Sequence, residues 1–314
     1  MPQDNAKTKV TLKDGTILYL KGKGLSDDAI QAGIQRYRAS QPPTAAQGNS
    51  ASQPKAPMTD RPAHAGDLLR QWRQRRRLSQ LDLAIAANVS SRHLSFIETG
   101  RARPTSEMIL RLAEHLDVPL RDRNVLLLAG GYAPAYPERG LAEPEPQAVR
   151  KALQRVLKGH EPYPAVVVNR WWELVEANAG IALFTRHVKP ELLRPPVNVL
   201  RLSLHPDGMA PRIANLPEWR AHLLDRLRRQ AETAGDARLA ELHDELAAYP
   251  GGQAQPPAAT DVVVPLRYRD DARELNFLSI TAVVGTPMEV TVSELAIEGF
   301  YPADAPTAAA LAEP

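Results

Sequence analysis

The sequence predicts an all-α domain of five helices followed by an α+β sheet domain, with a small ββα extension at the N-terminus. Three observations carry this. Residues 65–129 show apolar spacing of helical period, interrupted by Ser, Thr, Asn and Gly at cap positions. Residues 148–304 alternate short apolar runs with two charged, leucine-striped segments, the pattern of strands and covering helices. Residues 40–64 are rich in Pro, Gln, Ser and Ala and almost devoid of large apolar side chains, so burial cannot offset their ordering entropy.

Within residues 1–39, the segment 8–20 reads as two strands about Asp14-Gly15, a pair that tolerates the positive φ of a tight hairpin turn. Ser26 to Arg38 reads as a helix capped by Ser26. Residues 40–64 form a disordered linker. Met58 lies inside it, and a shorter product starting there would keep the whole helical domain.

The helical domain covers 65–129. Its first helix, 65–77, carries Leu68, Leu69 and Trp72 on one side and Arg73, Arg75, Arg76 and Arg77 elsewhere. Ser79 caps the second helix, through Ala87. Asn88 suits a left-handed interhelical turn. Ser90 caps the third helix, which ends near Gly100. Thr105 caps the fourth, with Met108, Ile109, Leu112 and Leu116 as its apolar face. Leu120 to Ala129 is the fifth. Leu94 and Ile97 point the third helix inward, which leaves its N-terminal half exposed and able to enter a major groove.

A Gly/Pro-rich connector spans 130–147. In the sheet domain, 148–304, Pro164 to Asn169 and Trp171 to Ala177 read as a hairpin, with Asn178 capping a helix through Phe184. Val262 to Tyr268, Leu275 to Val284 and Val290 to Ile297 read as three further strands. The helices Leu216 to Glu232 and Asp236 to Ala248 should lay their leucines on one face of the sheet. His205-Pro206-Asp207-Gly208 reads as a turn. Residues 305–314 read as a frayed tail.

Charge separates the two halves. The chain carries +3 overall, but Arg61 to Arg103 holds nine arginines against Asp67, Asp82 and Glu98, a net of +6. From Glu145 to Asp304 there are 18 basic and 21 acidic residues, a net of −3. A basic charge so localised is the footprint of a nucleic-acid contact, although a solvated helix face produces the same count. No cysteine is present, which excludes disulfides, thiolate metal sites and cysteine nucleophiles. The eight histidines show no paired ligand spacing, and no nucleophile elbow, phosphate loop or dinucleotide fingerprint occurs. The expectation is a protein that is not an enzyme and has no cofactor and no metal. No apolar run reaches the roughly 20 residues that span a bilayer, and the first residues lack the apolar core of a signal peptide. A cytoplasmic protein that does not contact membranes is expected.

Gln80, Ala84, Asn88, Val89, Leu94, Ile97, Glu98, Gly100 and Arg103-Pro104 resemble the XRE/Cro type of helix-turn-helix, with Asn88 where that family usually has Gly. The segments LLLAGGYAPAYPER, YPAVVVNRWWELVEANAG, NVLRLSLHPDGMAP and NLPEWRAHLLDRLRRQA resemble MmyB-like regulators with a PAS-like C-terminal ligand-binding domain. The resemblance spans residues 65 to about 304. It implies a DNA-binding transcriptional regulator whose second domain senses a small apolar ligand, such as a fatty acid. It implies that Gln80 meets a phosphate and that Ser91, Arg92, Ser95 and Phe96 face base edges. Ser90, Arg101 and Arg103 complete the DNA-contacting set. Trp172, Leu174, Phe184, Leu202, Phe277 and Ile280 are the candidate pocket residues, with plain core packing as the competing reading. Double-stranded DNA is the expected partner, bound by a homodimer. The alternative is a helix-turn-helix repressor or antitoxin-like protein whose second domain serves dimerisation or protein contact.

Overall fold

The computed structural model describes residues 7–11, 17–21, 64–140, 143–252, 263–271, 273–285 and 287–312. The chain divides into two compact units, 1–60 and 61–314. In the first, strands β1 (Lys7–Thr11) and β2 (Ile17–Lys21) pair antiparallel, with Thr11 opposite Ile17. The turn at Asp14-Gly15 and the helix expected over Ser26 to Arg38 lie outside the described residues, as does most of the 40–64 segment.

The second unit opens with helices α1 (Ala65–Arg75), α2 (Gln80–Ala86), α3 (Ser91–Glu98), α4 (Ser106–His115) and α5 (Leu120–Ala129). Their ends follow local chemistry. The His64 ring nitrogen Nδ1 accepts from the Gly66 and Asp67 N–H groups at the start of α1, a cap that the sequence reading missed. Ser79 and Asp82 form a reciprocal capping box on α2, and the Ser90 and Thr105 hydroxyls accept from His93 N–H and Met108 N–H. Asn88 has φ 53°, the left-handed conformation its side chain tolerates, and Gly100 has φ 71° after α3. Leu69, Trp72, Leu83, Leu94, Ile97, Ile109, Leu112, Leu126 and Leu127 close the core. A Cβ on Gly66 would stand 2.0 Å from the Ile97 carbonyl oxygen, so the close crossing of α1 and α3 requires glycine there.

Helix α6 (Pro144–Gly159) begins within the segment expected to be connector. The residues before it are tied down: Asn124 accepts from the Ala135 and Tyr136 N–H groups and donates to the Tyr136 carbonyl. Strands β3 (Ala165–Val168), β4 (Leu174–Ala177), β5 (Leu266–Asp270), β6 (Arg273–Val283) and β7 (Ala296–Pro302) form one antiparallel sheet in the order β4-β3-β7-β6-β5. Helices α7 (Ala182–Thr185), α8 (Val199–Leu204), α9 (Leu216–Ala234) and α10 (Ala237–Ala247) line one face. Leu223, Leu227, Leu239, Leu242 and Leu246 share a core there with Val166, Val168, Leu266 and Phe277. The opposite face is not left open: Leu153 and Leu157 of α6 pack on Ala165, Val167 and Leu295. That accounts for the unbroken burial of Ala165–Val168, where alternate side chains enter different cores.

Three expectations need correction. Val290 to Ile297 is not one strand. Its first residues form helix α11 (Val290–Ser293), because the Glu289 carboxylate accepts from Val292 N–H at 2.8 Å and Val290 N–H is taken by the Pro137 carbonyl. The strand begins later, at Ala296. The strand expected from Val262 also begins later, at Leu266. The tail is helix α12 (Ala305–Ala312), started by Asp304 accepting from Thr307 N–H and held on β6 by Asn276, which donates to Asp304 Oδ2 and to Thr307 Oγ1. The His205–Gly208 segment is a turn, with Gly208 N–H donating to the His205 carbonyl.

Candidate DNA-contacting helix and ligand cavity

Helix α3 presents an outer and an inner side. Ser90, Ser91, Arg92 and His93 are exposed, Ser95 and Phe96 half-buried, and Leu94 and Ile97 fully buried. The Arg92 guanidinium lies over the Phe96 ring at 5.4 Å, so the two side chains form one surface. Glu98 turns inward, where Arg73 donates to it through Nε at 2.7 Å and Nη2 at 2.8 Å and Gln80 donates through Nε2 at 2.8 Å. Burial alone would push the Glu98 carboxyl up; the bonds from Arg73 and Gln80 outweigh it and hold the group below the usual carboxylate range. This buried fork locks α1, α2 and α3 together and sets how far α3 stands out.

The other candidate residues fall into two groups. Arg101 is exposed. Gln80 is half-buried, with its amide engaged on Glu98. Arg103 donates to the Gly130 carbonyl at 3.0 Å through Nη2 and lies over the Tyr132 ring at 5.8 Å, so its head is drawn to the end of α5. The Arg73–Glu98–Gln80 network went unread in the sequence. Its signal was an acid in the last turn of α3, where a charge opposes the helix dipole unless a cation answers it.

A cavity of about 160 Å³ lies between the sheet and its covering helices. Trp172, Leu174, Phe184 and Leu202 line it, with Trp219, Leu223 and Phe300. Phe277 is fully buried one layer away, edge-on to Phe184 at 5.4 Å between ring centres. Ile280 points to the opposite side of β6 and is 52% exposed. The structure therefore does not bring Phe277 or Ile280 to the cavity; the pleat sends Ile280 outward. Arg226, Ser279 and Glu298, missed in the sequence reading, also line it. Glu298 lay just past the strand expected to end at Ile297, and β7 runs on to Pro302, so the sequence reading left it outside the sheet.

Trp172 has φ 64°, a conformation that costs an L-residue on the order of 1–2 kcal/mol. Asn169 holds it there, its side-chain oxygen accepting from the Trp171 and Glu173 N–H groups and its carbonyl from Trp172 N–H. The Trp172 indole donates to Gln230 at 2.8 Å. Its neighbour Trp171 donates to Asp236 at 3.1 Å, beside a charged joint between α5 and the sheet region. There Arg121 of α5 donates to Glu294 at 2.7 and 3.0 Å, and Arg170 donates to Glu294 and Asp236. Consecutive tryptophans thus face the cavity and the joint.

Among the described residues, His187, Asp270 and Asp271 are the one His/acid group close enough to hold a metal ion. Arg186 pairs with Asp270 and Arg212 lies 3.6 Å from Asp271, so cations already answer these acids.

A family model described as MmyB-like transcription regulator ligand binding domain matches residues 149–313, and one described as Helix-turn-helix domain matches 64–126. No curated relative matches the chain. Among solved structures, the chain is similar to the clp gene regulator ClgR from Corynebacterium glutamicum, at 28% identity over 31% of this chain and 90% of that one, with a TM-score of 0.19. No helix among the described residues is long and apolar enough to cross a membrane. The chain belongs to the MmyB-like transcription regulators, with a helix-turn-helix DNA-binding domain ahead of the ligand-binding domain.

Proposed function

We propose that this regulator reads a specific operator with α3 and that a small apolar ligand in the sheet-domain cavity changes its affinity for that operator. The observation that carries the reading is an apolar hollow of about 160 Å³ in the domain joined to the DNA-contacting helices. In this reading the five helices of 65–129 are the DNA-binding domain and 148–304 is a PAS-like sensor. Ser91, Arg92, Ser95 and Phe96 meet base edges, while Gln80, Ser90, Arg101 and Arg103 lie nearer the phosphates. The first group is supported by the outward side of α3. Trp172, Leu174, Phe184 and Leu202 form the pocket, and a fatty acid is one member of the ligand class. One recognition helix gives too little discrimination against a genome of competing sites, so the protein acts as a homodimer on two half-sites. We place it in the cytoplasm and assign it no reaction.

The second reading, a sheet domain serving dimerisation or protein contact, has one observation in its favour: Ile280, Val283 and Met288 are strongly exposed. Selecting an operator from a random DNA library, then titrating it with and without an apolar compound panel, separates the two. A ligand-dependent shift of operator affinity and a footprint of two half-sites are expected. No thermal shift and no change in DNA affinity across the panel would favour the second reading.

A further inference from the structure

The cavity is mostly apolar: the Thr185 and Ser203 hydroxyls that reach it are engaged with the Ile181 carbonyl and the Trp219 indole, and its charged groups gather on one wall, where Arg226 of α9, Ser279 of β6 and Glu298 of β7 meet. Glu298 is 4% exposed. A carboxylate this buried persists only when its charge and lone pairs are answered. Arg226 donates to it through Nη2 at 2.5 Å and Nη1 at 3.3 Å, Ser279 Oγ at 3.1 Å and Thr281 Oγ1 at 2.7 Å. Four donors fill the acceptor sites of one carboxylate. Nη2 of Arg226 also donates to Thr281 Oγ1, and the guanidinium lies 4.5 Å above the Trp172 ring.

Two consequences follow for a ligand. The polar wall is electrically balanced, one cation against one anion. It still has donors to give: Nε and one Nη1 hydrogen of Arg226 have no hydrogen-bond partner among the described residues. An incoming carboxylate would set a second anion beside the buried Glu298, where like charges at short range are costly. An uncharged carbonyl would accept from Arg226 without that cost. Size adds a limit: about 160 Å³ is close to the apolar cavity of ~150 Å³ that holds a benzene ring. A long acyl chain would require the walls to part.

Resting on the ligand-sensing reading but narrowing its ligand class so that the fatty acid is set aside, we propose that the cavity takes a compact, uncharged molecule, an apolar body bearing one carbonyl-type acceptor, held at Arg226 and selected against carboxylates by Glu298.

Hexanamide and hexanoate have equal heavy-atom counts and differ in charge, and benzene reports the apolar volume alone. Titrating the full-length chain calorimetrically at neutral pH should show hexanamide binding at least tenfold tighter than hexanoate. In Glu298→Gln, verified as folded, that preference should fall at least tenfold, because the Arg226 charge is then unanswered. Arg226→Met, verified as folded, should weaken hexanamide at least tenfold more than it weakens benzene. Hexanoate binding as tightly as hexanamide to the wild type overturns the proposal, as does an unaltered preference in folded Glu298→Gln or an equal effect on hexanamide and benzene in folded Arg226→Met. Benzene binding without hexanamide binding overturns the proposal while the sensor reading stands. If none of the three binds, both fall.

Discussion

Arg92 and Glu98 sit on one helix, and each owes its role to the direction of its side chain. Arg92 is exposed and supported by Phe96. A guanidinium so placed can bond bidentately to guanine, so Arg92→Ala should cost about 1–3 kcal/mol at the preferred operator and relax base choice there. Selection from a randomised library checks this, and an unchanged preferred sequence would remove Arg92 from the reading set. Glu98 faces inward, and its carboxyl is held below its ordinary value despite burial. The unfolded chain therefore binds more protons than the folded one between the two values. The stability Glu98 contributes is complete above about 4.5, the unfolded value. It drains away as pH falls through the lower, folded value. Glu98→Gln leaves Arg73 buried beside an uncharged partner. A loss of about 3–5 kcal/mol at pH 7, with a flatter acid limb in denaturant melts, is expected. Wild-type stability at pH 7 in the variant would show that the fork is not structural.

At the scale of elements, caps overrode strand propensity. Val290, Thr291, Val292 and Ile297 are β-branched, and such residues favour a strand. The structure turns the segment into α11, because Glu289 satisfies two backbone donors at once. Its Oε2 accepts from Val292 N–H and its Oε1 from Arg139 N–H, both at 2.8 Å. Glu289 thereby staples the segment before α6 to the sheet region. Glu289→Ala should destabilise the protein by about 1–2 kcal/mol through the lost cap and the bond to Arg139. Glu289→Asn, which keeps an acceptor, should cost less. Equal melting of the alanine variant and the wild type would contradict the cap. The tail carries the same lesson: Ala- and Pro-rich composition looks frayed, yet Asp304 and Asn276 give α12 a start and an anchor.

For the whole molecule, the joint around Arg121, Arg170, Asp236 and Glu294 is one of the contacts between the helices of 65–129 and the sheet region, and the one next to the cavity loop; we propose that ligand and DNA binding are coupled there. A ligand shifts DNA affinity only if it binds two states unequally. Trp172 walls the cavity while Trp171 touches Asp236, so movement of one loop changes both. Glu294→Gln should therefore leave ligand affinity within threefold of wild type and reduce the ligand's effect on operator affinity at least tenfold. Full coupling in that variant would place the communication elsewhere. The N-terminal unit is expected to play no part: protein starting at Met58 should bind the same operator with unchanged affinity, and a tenfold loss, about 1.4 kcal/mol, would show a contribution.

The helical half was legible in the sequence almost residue by residue. Caps at Ser79, Ser90 and Thr105, a left-handed Asn88 and apolar spacing are local signals, and local hydrogen bonding and steric preference decide such helices. The first four strands of the sheet were legible as apolar runs; β7 was misplaced, and the strand order was not legible, because pairing β3 with β7 joins residues far apart in the chain. The wall of the cavity belonged wholly to tertiary structure. Arg226 and Glu298 look like unremarkable charges on a helix and a strand. Only the fold brings them to 2.5 Å and buries the Glu298 carboxylate. Burial supplies both the energetic demand for that pair and the chemical character of the pocket, and burial is a property of the packed chain.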